Sequence, residues 1–181
     1  LSSSVTTFNC SDIGQQSVQL TVVDENGNAD ICHAQVNVAD CSAPAAMCKD
    51  ITLCLDTSGQ ATLTDTQLDN GSTDNCDSSL SLIAATTVFT CANLGTQSIA
   101  LEVADDAGNT DTCSSQVTVT DCTPPSVSCK DVSLCLDANG DGVLTTTHVL
   151  LSVTDSCDQA PVLSLSKSQF SCGDIGAQVI T

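Results

Sequence analysis

The chain has 181 residues, with 22 acidic side chains against three lysines and no arginine, giving a net charge of −19. That balance excludes nucleic acid and anionic membrane surfaces as partners, since both are bound through basic clusters, and it makes divalent cations the natural counter-charge. Thirteen cysteines against three Phe, no Trp and no Tyr point to a small aliphatic core stapled by disulfides outside the cytoplasm.

In chain order, the segment Phe8-Asn-Cys-Ser-Asp-Ile-Gly14 leads into a strand where Val18, Leu20 and Val22 alternate with polar neighbours. The run TVVDENGNADIC ends at Cys32, and Ala43-Pro44 marks a linker because proline removes a backbone donor. Ile51, Leu53 and Leu55 alternate in the next strand, followed by a Ser58-Gly59 turn and by Ala61 and Leu63. Thr64-Asp-Thr-Gln67 has the form of a capped helical turn. After a polar loop at 69–77, a strand is predicted from Leu80 to Phe89. Ile99, Leu101 and Val103 alternate again, Gly108 allows the tight turn at 105–109, and the returning strand runs through Cys113, Val117 and Val119. Pro124-Pro125 marks a second linker. Short strands with turn signals about every ten residues predict an all-β, Ig-like β-sandwich.

The chain resembles itself. CKDITLCLDTSG from Cys48 aligns with CKDVSLCLDANG from Cys129, and TVVDENGNADIC aligns with EVADDAGNTDTC, which ends at Cys113. FNCSDIG, FTCANLG and FSCGDIG place Cys10, Cys91 and Cys172 at steps of 81 residues, and the pairs 32/113, 41/122, 48/129, 54/135 and 76/157 keep the same step. Tandem Ig-like repeats are expected: the C-terminal half of one at 1–41, a complete one at 42–122, and the N-terminal part of the next at 123–181. On this reading the odd cysteine count comes from cutting a longer array within a repeat at both ends, with any secretion signal outside the segment.

Six cysteines per repeat allow fifteen pairings. In an Ig-like sandwich the first strand can run parallel to the last, so similar offsets should pair: Cys48–Cys113 and Cys54–Cys122. Cys76–Cys91 is then left, with Cys157–Cys172 as its copy, and Cys122–Cys129 between repeats is the rival pairing. Cys48 and Cys113 differ in facing relative to their apolar neighbours, which predicts a bulge. Without any CxxC pair, zinc is not expected.

These residues resemble the hyalin-repeat-like Ig-fold modules of large secreted adhesins of the Bacteroidota type, including gliding-motility adhesins. The shared signature is C-x-D-[IV]-x-L-x-L-D-x-x-G at 48–59 and 129–140, D-N-G-S-x-D-N-C at 69–76, F-x-C-x-x-[LI]-G at 89–95, and V-x-D-x-x-G-N-x-x-x-C at 103–113. The likeness covers essentially the whole chain. It implies an extracellular, cell-surface filament or stalk. Cys54 and Cys122 are additional to the family's usual four cysteines, and LLSVTDSC at 150–157 replaces DNGSTDNC.

Two constellations could hold calcium. Asp137-Ala-Asn-Gly-Asp141-Gly142 opens like an EF-hand loop, but its twelfth position is His148 instead of a bidentate Glu, and a plain β-turn is the preferred reading. The loops at 69–77 and 105–109 should share one pole of the sandwich, gathering Asp74, Asp77, Asp105 and Asp106 towards Asp40, with Asp121, Asp155 and Asp158 at the next joint. Clustered carboxylates repel unless a cation sits among them, so a calcium-stiffened joint competes with a reading of turn aspartates capping their own backbone.

His33 and His148 do not recur at the 81-residue step, and nothing supplies a catalytic base, so no enzyme activity is expected. Asn9-Cys-Ser11 and Asn70-Gly-Ser72 fit the glycosylation sequon. No apolar run is long enough to cross a bilayer. The expected role is a structural or adhesive stalk whose partners are neighbouring repeats of the same chain, with surface polysaccharide or like filaments as further partners. The alternatives are a glycan-binding module, disfavoured by the lack of aromatic platforms, an accessory domain of a secreted hydrolase, and assembly of half-domains into a fibre.

Overall fold

A computed structural model describes residues 2–3 and 7–181. Its strands in chain order are β1 (Ser2–Ser3), β2 (Gly14–Val23), β3 (Ala29–Val38), β4 (Ile51–Leu55), β5 (Gln60–Thr62), β6 (Ser81–Ala84), β7 (Val88–Thr90), β8 (Gly95–Ala104), β9 (Thr110–Asp121), β10 (Ser126–Cys129), β11 (Asp141–Val143), β12 (Leu150–Thr154) and β13 (Gln169–Ser171). Helices α1 (Asp65–Leu68) and α2 (Thr146–Val149) span four residues each, and single 3-10 turns begin at Cys10, Cys91 and Cys172. The fold is mostly β, as the alternation predicts. None of the described helices is long and apolar enough to cross a membrane.

Period-two patterning does the folding work. Along β8, Ile99, Leu101 and Val103 are buried while Ala100 and Glu102 face solvent, and Val117 and Val119 are buried along β9. Each such side chain removed from water contributes roughly 1.5–3 kcal/mol. The intervening turn closes because Gly108 adopts a φ of 89°, and the Asp105 N–H donates to the Asn109 carbonyl at 3.1 Å. β2 and β3 pair antiparallel over ten residues, from Gly14↔Val38 to Val23↔Ala29.

Two expectations need refinement. The strand predicted from Leu80 to Phe89 is two strands: β6 pairs with β8, whereas β7 pairs with β5. The chain changes sheet across residues 85–87, where the Leu63 N–H reaches the Thr87 carbonyl, and alternation carries no signal of such a switch. His148, which does not recur at the 81-residue step, caps α2: its Nδ1 accepts the Thr145 N–H at 3.2 Å, the place that Gln67 Oε1 fills for Thr64 at 2.8 Å at α1.

The chain divides into two compact units. The first comprises Leu1–Thr52, Thr62–Thr87 and Thr96–Thr118; the second comprises Leu53–Ala61, Val88–Gly95 and Val119–Thr181. The first holds the three-stranded sheet β1-β2-β3, and the second holds the two-stranded sheets β10-β12 and β11-β13. β4, β5, β8 and β9 each contribute residues to both units. Among the described residues, every buried apolar side chain except Pro44 and Leu144 lies between Leu53 and Val119 in sequence.

Candidate metal centre and covalent cross-links

In the first unit Asp40 follows β3, Asp74 and Asp77 belong to the loop before β6, and Asp105 opens the β8–β9 turn. Local hydrogen bonds fix each carboxylate. Asp105 accepts the Asn109 N–H through Oδ1 and the Asn109 side-chain amide through Oδ2, both at 2.7 Å. Asp74 Oδ2 accepts the N–H groups of Cys76 at 2.8 Å and Asp77 at 3.1 Å. Asp77 Oδ2 accepts the Asp106 N–H at 3.1 Å, and Asp40 Oδ1 accepts the Ser42 N–H at 3.0 Å. Asn109 also donates to the Asp40 carbonyl at 3.3 Å, and this ties the turn to the segment after β3.

The four carboxylates each present an oxygen within 4.8 Å of the others, and Asp105 is 7 % exposed. Among the oxygens of these residues, Asp40 Oδ2 and Asp74 Oδ1 are buried and accept no hydrogen bond. Buried acceptors are costly to leave unsatisfied. Burial opposes ionisation of Asp105, yet hydrogen bonds from the Asn109 side chain and from the N–H groups of Asn109, Gly108 and Ala107 outweigh it, so its carboxyl lies below the ordinary value of 3.8. The donor set is hard oxygen only. Calcium–oxygen bonds of about 2.4 Å put ligands on opposite sides of the ion about 4.8 Å apart, so oxygens no farther apart than that are close enough to share one ion.

The remaining candidates are placed differently. Asp106 contributes its backbone N–H, not its carboxylate, to the group. In the second unit Asp121 lies beside Asp155, its carboxyl lowered by the Thr123 hydroxyl, the Thr123 N–H and then Asp155. With Asp158 these are the positions 81 residues beyond Asp40, Asp74 and Asp77, but no group of three or more forms there among the described residues. Asp137 turns inward on its own loop, where Oδ1 accepts the N–H groups of Asn139 at 2.8 Å and Asp141 at 2.9 Å. That is a β-turn, and the match to an EF-hand loop ends there.

Four disulfides cross-link the chain. Cys48–Cys113 lies in the first unit and Cys54–Cys122 in the second, with separations of 65 and 68 residues. Contacts from Lys49 to Ser115 and from Asp50 to Gln116, both 66 residues apart against 65 for Cys48–Cys113, show that these two segments run in the same direction. Cys48 lies ahead of β4, in an isolated bridge to Asp69, outside the strand's alternation. The expected Cys76–Cys91 and Cys157–Cys172 bonds are absent. Cys76 bonds Cys10 and Cys91 bonds Cys157, each across 66 residues, and Cys172 is a free thiol. The rival Cys122–Cys129 bond is also absent, since Cys129 is free. Sequence reasoning passed over Cys10, although the offset that paired the first four cysteines, about 65 residues, also joins Cys10 to Cys76. The Cys76–Cys91 expectation was what remained once pairing was confined to a single repeat, whereas the observed bonds cross the expected repeat boundaries. The four bonds fit an oxidising environment.

Neither protein-family models nor curated protein sequences match the chain.

Proposed function

We propose that this chain is a load-bearing segment of a long extracellular surface protein, a non-catalytic stalk built from serial Ig-like modules of the hyalin-repeat type at about 1–41, 42–122 and 123–181. The observation that carries this reading is the pair of disulfides with one offset, Cys10–Cys76 and Cys91–Cys157, each spanning an expected module boundary. Tension along the chain passes from Cys10 to Cys76, along 15 residues to Cys91, and across to Cys157. Residues 11–75 and 92–156 are shielded from it. A stalk under shear needs such a path, because a shielded domain can open without letting the filament lengthen. The Asp40, Asp74, Asp77 and Asp105 group is read as a calcium site that stiffens the first joint. Secretion to a cell surface accords with the disulfides and the acidic, unpaired charge.

Pulling the chain by its ends in a single-molecule force experiment tests the reading. The oxidised chain should rupture at a contour length about 45 nm shorter than the reduced chain, since some 130 residues at about 3.5 Å each stay locked. Equal contour lengths would remove the basis for a load-bearing role.

A further inference from the structure

The four disulfides are not loaded alike. Between Cys10 and Cys157 the shortest covalent route runs through Cys10–Cys76, the backbone from Cys76 to Cys91, and Cys91–Cys157. Cys48–Cys113 and Cys54–Cys122 lie off that route, and each joins the shielded loop 11–75 to the shielded loop 92–156. Residues 77–90 are therefore the one stretch of backbone between the two outer cysteines that bears tension. The chain before and after it is bound into one covalent network that bears none.

The groups that hold this stretch belong to the shielded loops. β6 pairs antiparallel with β8, from Ser81↔Ala104 to Ala84↔Leu101, and β7 neighbours β5; β8 lies within 92–156 and β5 within 11–75. The Ala84 N–H donates to Asp65 Oδ1 at 2.8 Å, and the Ala85 N–H to the Ala100 carbonyl at 2.9 Å. The Thr87 carbonyl accepts the Leu63 N–H at 2.7 Å, and Asp77 Oδ2 accepts the Asp106 N–H at 3.1 Å. Ala84 and Phe89 are buried, Phe89 to 1 % exposure. Because the stretch changes sheet across residues 85–87, pulling Cys76 and Cys91 apart straightens it by drawing β6 along β8 and β7 along β5. Hydrogen bonds of an antiparallel pair lie across the strands, so those between β6 and β8 are loaded together and give way together.

We propose that residues 77–90 are a tension-yielding link, a segment that leaves the fold as a unit under load and returns when the load falls. The proposal rests on the load-bearing reading and adds the place where the chain gives. Release is short because the two loaded disulfides bound it: 15 residue steps at about 3.5 Å allow no more than about 5 nm. Return is favoured because Cys48–Cys113 and Cys54–Cys122 keep β5 and β8 in the cross-linked network while the segment is out. A segment tethered at both ends meets its partners at high effective concentration, and a loop of about ten residues closes in roughly 10–100 ns. The division of labour follows: two disulfides carry force, and the other two preserve the surface to which the link re-docks.

Optical tweezers on the full oxidised chain, its exposed free thiols alkylated, test the proposal. A step of less than about 5 nm should recur in every stretch-and-relax cycle. Ten Gly-Ser residues inserted between Ser78 and Ser79, exposed in the loaded stretch, should lengthen that step by about 3.5 nm. The same insertion between Glu25 and Asn26, in an exposed turn of the shielded loop, should leave it unchanged. Phe89→Ala should keep the step's length and lower its force. A step that the first insertion does not lengthen, that the second does, that fails to return, or whose force Phe89→Ala leaves unchanged would overturn the proposal. Equal contour lengths of oxidised and reduced chains would take the load-bearing reading down with it. An oxidised chain that stays short but gives no returning step would overturn this proposal alone.

Discussion

At the residue scale, the decisive groups are oxygens without donors. Asp40 Oδ2 and Asp74 Oδ1 are buried beside Asp105, whose own oxygens are held by Asn109, so the group repels itself unless a cation enters. Saturating calcium, at about 100 times its dissociation constant, should stabilise the fold by about 2.7 kcal/mol, roughly 5–10 °C in Tm for a chain of this size. Asp74→Asn should abolish that rise while leaving Tm in chelator unchanged or higher, because a repulsion is relieved; calorimetry with calcium or chelator reads both. A calcium rise that survives the substitution would exclude Asp74 as a ligand. The pH dependence has a definite sign. Hydrogen bonds hold the carboxyls of Asp24, Asp56, Asp105, Asp121 and Asp137 below their ordinary value of 3.8. Their stabilisation is therefore complete above that value and is lost as the pH falls through the lower folded-state values, and calcium binding should fade over the same acidic range.

At the element scale, turns and cystines constrain one another. Gly59 has a φ of 73°, and a Cβ added there would sit 2.7 Å from Cys91 Sγ, part of the Cys91–Cys157 bond. Gly108 also has a positive φ, 89°, but a Cβ there would meet nothing within 4 Å. Gly108→Ala should cost only the conformational penalty, about 1–2 kcal/mol, whereas Gly59→Ala should cost clearly more, as measured by urea unfolding of the oxidised chain. Equal losses would mean that the cystine yields without cost. This coupling also shows what was legible in the sequence. Alternation revealed the strands because burial imposes period two, and the Thr64–Gln67 capping box and the Gly108 turn were readable because each is a local rule. Two of the bonds followed from a shared offset. Cys10–Cys76 and Cys91–Cys157 keep nearly the same offset but cross the expected repeat boundaries, so pairing confined to one repeat passes over them, and the change of sheet between β6 and β7 leaves no mark in the hydrophobic pattern. At the four-aspartate group, the loop positions of Asp74, Asp77 and Asp105 were readable. That Asp106 offers its N–H to Asp77 is visible only in the folded turn.

At the scale of the whole molecule, a net charge of −19 must be held together with no arginine and three lysines to offset it. A typical domain is stable by only 5–15 kcal/mol, so self-repulsion of this size weighs heavily. Each disulfide closes a loop of 65 to 68 residues and stabilises by roughly 4 kcal/mol in the chain-entropy model, less where loops overlap. The cystines therefore make the charge tolerable, and the reduced chain should be unfolded at any ionic strength. For the oxidised chain, raising NaCl from about 10 to 150 mM shortens the screening length from roughly 30 to 8 Å, so Tm should climb through that range. Calcium should add a further rise at matched ionic strength, and magnesium should add less, because it demands shorter bonds and keeps its waters. The comparison separates diffuse repulsion from a built site. If magnesium and calcium raise Tm equally beyond NaCl, the acidic loops act only as a charge cloud; if NaCl has no effect, the charges are too dispersed to strain the fold. A rise with NaCl and a larger one with calcium, lost in Asp74→Asn, would assign the extra term to the four aspartates.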